Sequence, residues 1–261
     1  MPYHKAESIR YYTFELLNQP GVTHAVFTRR GGVSPAPWAS LNVGAVVGDE
    51  LDRVVTNRKR AFRAVRRDPR SMYDVWQVHS AAVVCADAPR ELDTPYIKAD
   101  AILTDNPDVT VFMRFADCVP IMFLDQERKV VGLAHAGWQG TIKGVSASTV
   151  ETMVSHYGCQ PGDILVGIGP SIGPHHYDVG PEVISQVESV FGDYAPRLLP
   201  NENGTVKFDL WEANRWILEQ AGVGRVEVSS ICTACQLEDW YSHRGENGKT
   251  GRFGALIGLN G

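Results

Sequence analysis

Strand-like segments crowd the middle of this chain and return near its end, while helical periodicities fall between them at irregular intervals. Tyr73 to Val78, Ala81 to Ala86, Val109 to Phe115, Ile121 to Leu124 and Val130 to Ala134 carry the β-branched and aromatic content of strands. Ile164 to Ile168, Val226 to Ile231 and Phe253 to Leu259 read the same way. A strand at His24 to Thr28 precedes a turn-rich stretch, Arg29 to Pro35, that cannot continue it. Helical spacing of apolar residues runs from Asp49 to Arg66, with Asp49 placed as the amino-terminal cap. It recurs from Ile142 to Val154, at Val183, Ile184, Val187 and Val190, and from Leu210 to Leu218, where Gly222 is placed to close the helix. Clustered strands with interspersed helices predict an α/β fold of the mixed α+β kind: mixed β-sheets flanked by helices, not a regular strand–helix alternation.

No repeat, low-complexity tract or Pro/Ser-rich linker divides the 261 residues. A single domain over 1–261 is therefore expected, with 1–20 as an amino-terminal extension. The formal charge of −5 argues against a general polyanion-binding surface, and so against nucleic acid as the main partner. No apolar run approaches the ~20 residues that span a bilayer, and the first residues lack the hydrophobic stretch of a signal peptide. The odd number of cysteines, 5, fits a reducing cytoplasm in which cysteine serves as ligand, nucleophile or core filler.

Three segments place a metal-capable side chain where regular strand pairing stops: Gln77-Val78-His79-Ser80, Ala116-Asp117-Cys118-Val119-Pro120 and Ala134-His135-Ala136-Gly137-Trp138. Two imidazoles and a thiolate form a good ligand set for Zn²⁺, and three protein ligands leave one position open. Each residue also has a plain alternative, since a lone Cys is often core filler and a lone His a hydrogen-bonded structural residue. The separations, 39 and 17 residues, match no compact zinc-finger spacing. Asp117 reads either as a general acid/base or ligand orienter, or as a turn cap.

Several ordered motifs carry a resemblance: Thr28-Arg29-Arg30-Gly31-Gly32-Val33-Ser34, Ser40-Leu41-Asn42-Val43-Gly44, Gln77-Val78-His79, Ala116-Asp117-Cys118, His135-Ala136-Gly137-Trp138, Tyr177-Asp178-Val179-Gly180, Cys232-Thr233 and Tyr241-Ser242-His243-Arg244. In this order they resemble the YfiH-like family, also described as polyphenol oxidoreductase or laccase-like proteins and as purine nucleoside phosphorylases. The resemblance implies a single YfiH-like domain and a zinc site at His79, Cys118 and His135. It also implies purine nucleosides and phosphate as substrates: adenosine, inosine, guanosine or methylthioadenosine, with adenosine deamination alongside. An older description of the family implies copper-dependent phenol oxidation.

Phosphorolysis needs positive groups near an anionic nucleophile, so Arg29 is the first candidate for substrate contact, followed by Arg244 and Arg252. Asn42 could bond a ribose hydroxyl or base edge, or brace its own loop. Trp138 and Phe115 could stack on a purine. Relatives often carry a basic residue where this chain has Gln139. Cys232 and Cys235 form a lone Cys-x-x-Cys, with a structural or incidental redox role favoured. Competing readings are a copper oxidase, disfavoured by only 8 His and no His-x-His pair, a cysteine hydrolase using Cys118, and an interaction module whose zinc site is closed by His243.

Overall fold

The fold is a sandwich of two six-stranded mixed sheets with helices on both outer faces, seen in a computed structural model that describes residues 2–91 and 93–261. The strands are β1 (Tyr3–Ala6), β2 (Ile9–Tyr12), β3 (Val22–Phe27), β4 (Met72–Tyr73), β5 (Val83–Cys85), β6 (Ala101–Thr104), β7 (Thr110–Phe115), β8 (Val119–Asp125), β9 (Val130–Ala136), β10 (Leu165–Ile168), β11 (Asn201–Glu202), β12 (Thr205–Val206), β13 (Arg225–Val228) and β14 (Phe253–Leu259). One sheet runs in the order β1-β2-β3-β14-β7-β4 and the other β13-β10-β8-β9-β6-β5, while β11 and β12 form a small ribbon. Most neighbours are antiparallel; β4 with β7, β5 with β6, and β10 with β13 are parallel.

Alternation along the strands builds the layers. In β8, Val119, Ile121 and Phe123 point to the helices, whereas Met122 and Leu124 point between the sheets. All seven residues of β8 and of β9 are buried, because both faces of this sheet are covered. Val111, Met113, Ala255 and Ile257 of the first sheet meet Ile102, Val131 and Leu133 of the second in the central layer. Helix α1 (Leu51–Ala64) covers the outer face of the first sheet through Ala61 and Phe62. The outer face of the second is covered by α3 (Val145–Tyr157), α4 (Pro181–Phe191) and α6 (Leu210–Gln220), with short helices α2 (Trp138–Ile142) and α5 (Ala195–Leu198) beside them. Among the described residues, no helix is long and apolar enough to cross a membrane.

The strands at β3, β7, β8, β9, β10 and β14 fall where the sequence places them, and three expectations are corrected. Asp49 does not cap α1: Glu50 is the cap residue, and the Asp49 carboxylate accepts bonds from Ser34, Asn42 and the Glu50 N–H. The strand expected from Tyr73 to Val78 stops at Tyr73, leaving one isolated bridge from Trp76 to Lys98. The helix expected from Ile142 onward is two helices, because Gly144 adopts a left-handed φ of 76° between α2 and α3. Gly222 closes α6 as expected: it has φ +88°, and the Val223 and Gly222 N–H groups donate to Leu218 and Glu219 carbonyls. Within 1–20, β1 and β2 extend the first sheet by pairing onto β3.

Candidate active site

The chain passes from one sheet to the other twice near the same end of the sandwich, between β4 and β5 and between β7 and β8. His79 lies on the first crossing and Cys118 on the second, while His135 lies in β9, which runs to Ala136, two residues beyond its expected end at Ala134. His135 shares a strand face with Val131 and Leu133, so period-two alternation aims its ring into the space between the sheets. There it meets Phe115, at a ring-centroid distance of 5.5 Å, and His79, at 4.9 Å. The Sγ of Cys118 lies 3.9 Å from His79 Nε2, and one ligand atom from each of His79, Cys118 and His135 falls within 4.8 Å of the others.

Two non-glycine residues here hold left-handed backbone: His79 at φ 57° and Asp117 at φ 78°. Such conformations persist only where the surroundings over-determine them. Asp100, fully buried, does so for His79. Its Oδ2 accepts from the Val78 N–H at 3.1 Å, the Ser80 N–H at 2.6 Å and the Ser80 hydroxyl at 2.8 Å, straddling His79. Its Oδ1 pairs with His135 Nδ1 at 2.9 Å, which turns Nε2 of that ring toward Cys118 and His79. A single carboxylate thus orients both imidazoles, the arrangement that tunes metal-ligating histidines in general. Asp117 is fixed by the Thr233 hydroxyl on Oδ1 and the Arg244 N–H on Oδ2, both at 2.7 Å.

Electrostatics favour a charged pair at this site. Burial pushes the Cys118 thiol up, but the His135 charge and the contacts with His135 and His79 outweigh it and bring the thiol down to about 6. Burial depresses His135, yet Cys118 and the hydrogen bond that Nδ1 donates to Asp100 raise it to about 9. The Asp100 carboxyl, opposed by burial, is held well below the usual carboxylate range by His135 and Ser80. The donor set of two imidazoles and an ionised sulfur fits a borderline-soft divalent ion, and no further His, Cys or carboxylate joins the three among the described residues. His243 is not part of the cluster, so the arrangement leaves a position for water or substrate.

The cluster opens into a pocket of about 260 Å³ lined by His79, Asp117, Cys118, Gly137, Trp138, Gln139, Ile172, Tyr177 and Leu210. Trp138 is thus among the residues that line the pocket. Arg244 stands beside the pocket: its guanidinium rests over the ring of Tyr177 at 5.1 Å and donates to the Asp178 carbonyl. Arg252 sits close enough to feel the charges of Cys118 and Asp117, which oppose the depression of its pKa by burial. Arg29 and Asn42 are not among the lining residues. The Arg29 guanidinium donates to the Ala39 and Leu237 carbonyls, pairs with Glu246 at 3.0 Å and covers Tyr241. Asn42 is fully buried and braces its loop, bonding the Gly44 and Arg252 N–H groups and the Asp49 carboxylate. Sequence reasoning missed Asp100, Tyr177, Ile172 and Leu210 as site residues. Tyr177 and Ile172 stood in family motifs without an assigned role, and Leu210 read as part of the apolar face of a helix.

Fold and site together define a double-sheet α+β domain with a His–Cys–His cluster where the chain crosses between its sheets. The family profile described as "Multi-copper polyphenol oxidoreductase laccase" matches residues 23–260, and the chain belongs to that family. A protein of Deinococcus radiodurans named purine nucleoside phosphorylase is 39% identical over 94% of this chain and 92% of its own length. Purine nucleoside phosphorylase YfiH of Escherichia coli is 33% identical over 92% and 94%. The crystal structure of Bacillus licheniformis YfiH superposes with a TM-score of 0.91 at 36% identity, covering 99% of each chain.

Proposed function

We propose that this chain is a zinc-dependent purine nucleoside phosphorylase, acting on adenosine, inosine, guanosine and S-methyl-5′-thioadenosine, with adenosine deamination as a side activity. The observation that carries the proposal is the convergence of His79, Cys118 and His135 at the floor of a pocket walled by Trp138 and Tyr177. The names of the relatives supply the substrate class.

In this reading His79, Cys118 and His135 would hold the metal, which when bound would supply Lewis acidity toward a substrate oxygen. Trp138 and Tyr177 offer aromatic surface to the base, and Ile172 and Leu210 exclude water beside it. Arg244 and Arg252 supply positive charge for phosphate, which attacks C1′ of the ribose as the bond to the purine nitrogen breaks. The electron pair leaves with the base, which takes up a proton, and the sugar departs as ribose 1-phosphate. Asp117 positions Arg244 through the backbone bond at 2.7 Å, and Asp100 keeps His135 Nδ1 engaged so that the ring presents its other nitrogen. For deamination, a metal held by His79, Cys118 and His135 would supply an activated water for C6 of adenine, the amino group would leave as ammonia, and Asp117 is the adjacent carboxylate placed to move the proton.

The test is to incubate metal-replete protein with adenosine and phosphate and to assay adenine, ribose 1-phosphate and inosine. Adenine and ribose 1-phosphate in equal amounts, lost in His79→Ala, support the proposal. No product above background, or equal product from His79→Ala, rejects it. A second reading, phenol oxidation, draws on the description of the matching family and on the ability of a His₂Cys set to bind copper. Stoichiometric copper in protein purified without added metal, together with phenol turnover, would favour it.

A further inference from the structure

Among the described residues a second group of metal-capable side chains stands outside the pocket: His175, His176, Cys232 and Cys235, whose ligand atoms all lie within 4.8 Å of one another. His175 Nε2 is 3.1 Å from Cys235 Sγ, and His176 Nδ1 is 3.6 Å from Cys232 Sγ and 3.5 Å from Cys235 Sγ. A tetrahedral zinc ion with Zn–S of about 2.3 Å and Zn–N of about 2.05 Å separates sulfur from nitrogen by about 3.5 Å. The two spacings to His176 match that edge, and the His175 spacing is within about half an ångström of it.

We propose that these four side chains form a structural zinc site of the Cys₂His₂ kind, closed by protein ligands alone. The fold brings the two halves together. The parallel pairing of β10 with β13 resumes beyond the strand ends: the Ser171 N–H donates to the Ile231 carbonyl at 3.1 Å and the Thr233 N–H to the Ser171 carbonyl at 3.0 Å. The loop bearing the two histidines and the loop bearing the two cysteines therefore leave the sheet side by side. Cys232 is buried, while the other three are exposed at the rim.

The surroundings are arranged around these ligands as well. The Gly173 N–H donates to Cys232 Sγ at 3.2 Å and holds that sulfur in place beside the histidines. A Cβ on Gly173 would come within 2.7 Å of His175 Cε1, so only glycine leaves room for that ring. Lys207 Nζ donates to the His175 carbonyl at 3.1 Å and fixes the loop from outside. Two sulfurs and two nitrogens select zinc over the oxygen-seeking Mg²⁺ and Ca²⁺. With four ligands no position is left for a reactant, so the site acts as a clip. It ties the loop leading to Tyr177, which lines the pocket, to the loop carrying Thr233, whose hydroxyl holds Asp117. The clip does not depend on the nucleoside chemistry proposed above.

The experiment uses the full chain, purified with zinc and dialysed against metal-free buffer, as wild type, Cys235→Ser, His176→Ala, and each of these combined with His79→Ala. Both clip positions are exposed, so these variants avoid disturbing the buried Cys232. The clip predicts that Cys235→Ser and His176→Ala each lose about one zinc equivalent per chain, in the wild-type and the His79→Ala backgrounds alike. It also predicts that Cys235 resists iodoacetamide until chelator is added, and that the variants melt at a lower temperature. Unchanged zinc content in both variants overturns the proposal. So does immediate alkylation of Cys235 in zinc-loaded protein, or a Cys232–Cys235 disulfide found by mass spectrometry in protein as purified. Because the clip is counted with His79 removed, loss of the pocket metal and loss of this one are separately visible.

Discussion

Gly137 offers a test in which one methyl group separates the fold from the site. It precedes α2 with φ −72° and ψ 177°, a conformation open to alanine, so Gly137→Ala strains no backbone. An ideal Cβ there lies 2.8 Å from Cys118 Sγ and 3.1 Å from His79 Cδ2. Ordinary contact between such atoms requires ~3.5–4.0 Å, so the ligands must retreat by about 1 Å. Metal–ligand distances tolerate only about 0.2 Å, and a 1 Å misplacement at a reacting centre costs about 100-fold in rate. Gly137→Ala is therefore expected to lose the metal of the His–Cys–His cluster and at least about 100-fold in adenosine phosphorolysis. Its circular dichroism should match wild type, and the metal-free proteins should melt together. Metal content, product formation and thermal denaturation, measured on one preparation of each protein, supply the comparison. An alanine variant that retains this metal and turns over at the wild-type rate would refute the placement of Cys118 and His79 around one ion.

Further outcomes follow from neighbouring groups. Asp100→Asn turns an amide NH₂ toward the Val78 and Ser80 donors or withdraws the acceptor from His135; metal affinity at the cluster should fall about 10- to 100-fold in a chelator competition. His24 is buried, with its pKa lowered to about 4 by burial, and accepts the Phe14 N–H at 2.9 Å. Between pH 6.5 and 4 the unfolded chain binds the proton that folded His24 refuses, so its stabilisation is complete above 6.5 and is lost as pH falls toward 4. That loss is about 3 kcal/mol at most, and urea denaturation at pH 7 and 4.5 should show it in wild type but not in His24→Gln. Asp74, fully buried, meets Arg90 at 2.9 Å, Arg114 at 2.8 Å and Arg58 at 3.8 Å. Asp74→Ala leaves these cations uncompensated and should cost about 3–5 kcal/mol in equilibrium unfolding. Gln139→Arg adds a positive charge to the pocket and should lower the KM for phosphate several-fold, read from initial rates at saturating adenosine.

The parts of the fold legible in the sequence are those whose burial is continuous. β8 and β9 are apolar on both faces because each face meets a different layer, and their strand content stood out for that reason. β1 and β2 are short and half-exposed, and gave no comparable signal. At the site, His79, Cys118 and His135 could be named because metal-capable residues at strand ends are uncommon. Their meeting could not be derived from spacings of 39 and 17, since two sheet crossings that no local pattern encodes bring them together. Arg29 misled because a guanidinium in a glycine-rich turn reads as an anion contact; here the chain's own carbonyls and Glu246 engage it. Asp100 received no role for the opposite reason: a lone acid before a strand gives no hint that it orients two histidines 56 residues apart. Cys232 and Cys235 lacked a second cysteine pair, and the adjacent His175 and His176 were the overlooked complement.

Because the His79 and Cys118 segments each link one sheet to the other, the cluster gauges the thickness of the sandwich. The side chains that set that thickness, such as Met113, Leu133 and Ile257, are fully buried and are not among the residues that line the pocket. Yet swelling or thinning their layer would spread or compress the three donor atoms as calliper jaws follow their hinge. Metal affinity thereby becomes a remote readout of how well two hydrophobic surfaces fit. A library of conservative changes in that layer, scored by metal retention at the His–Cys–His cluster, would map the packing of the whole interior from a single point at its edge.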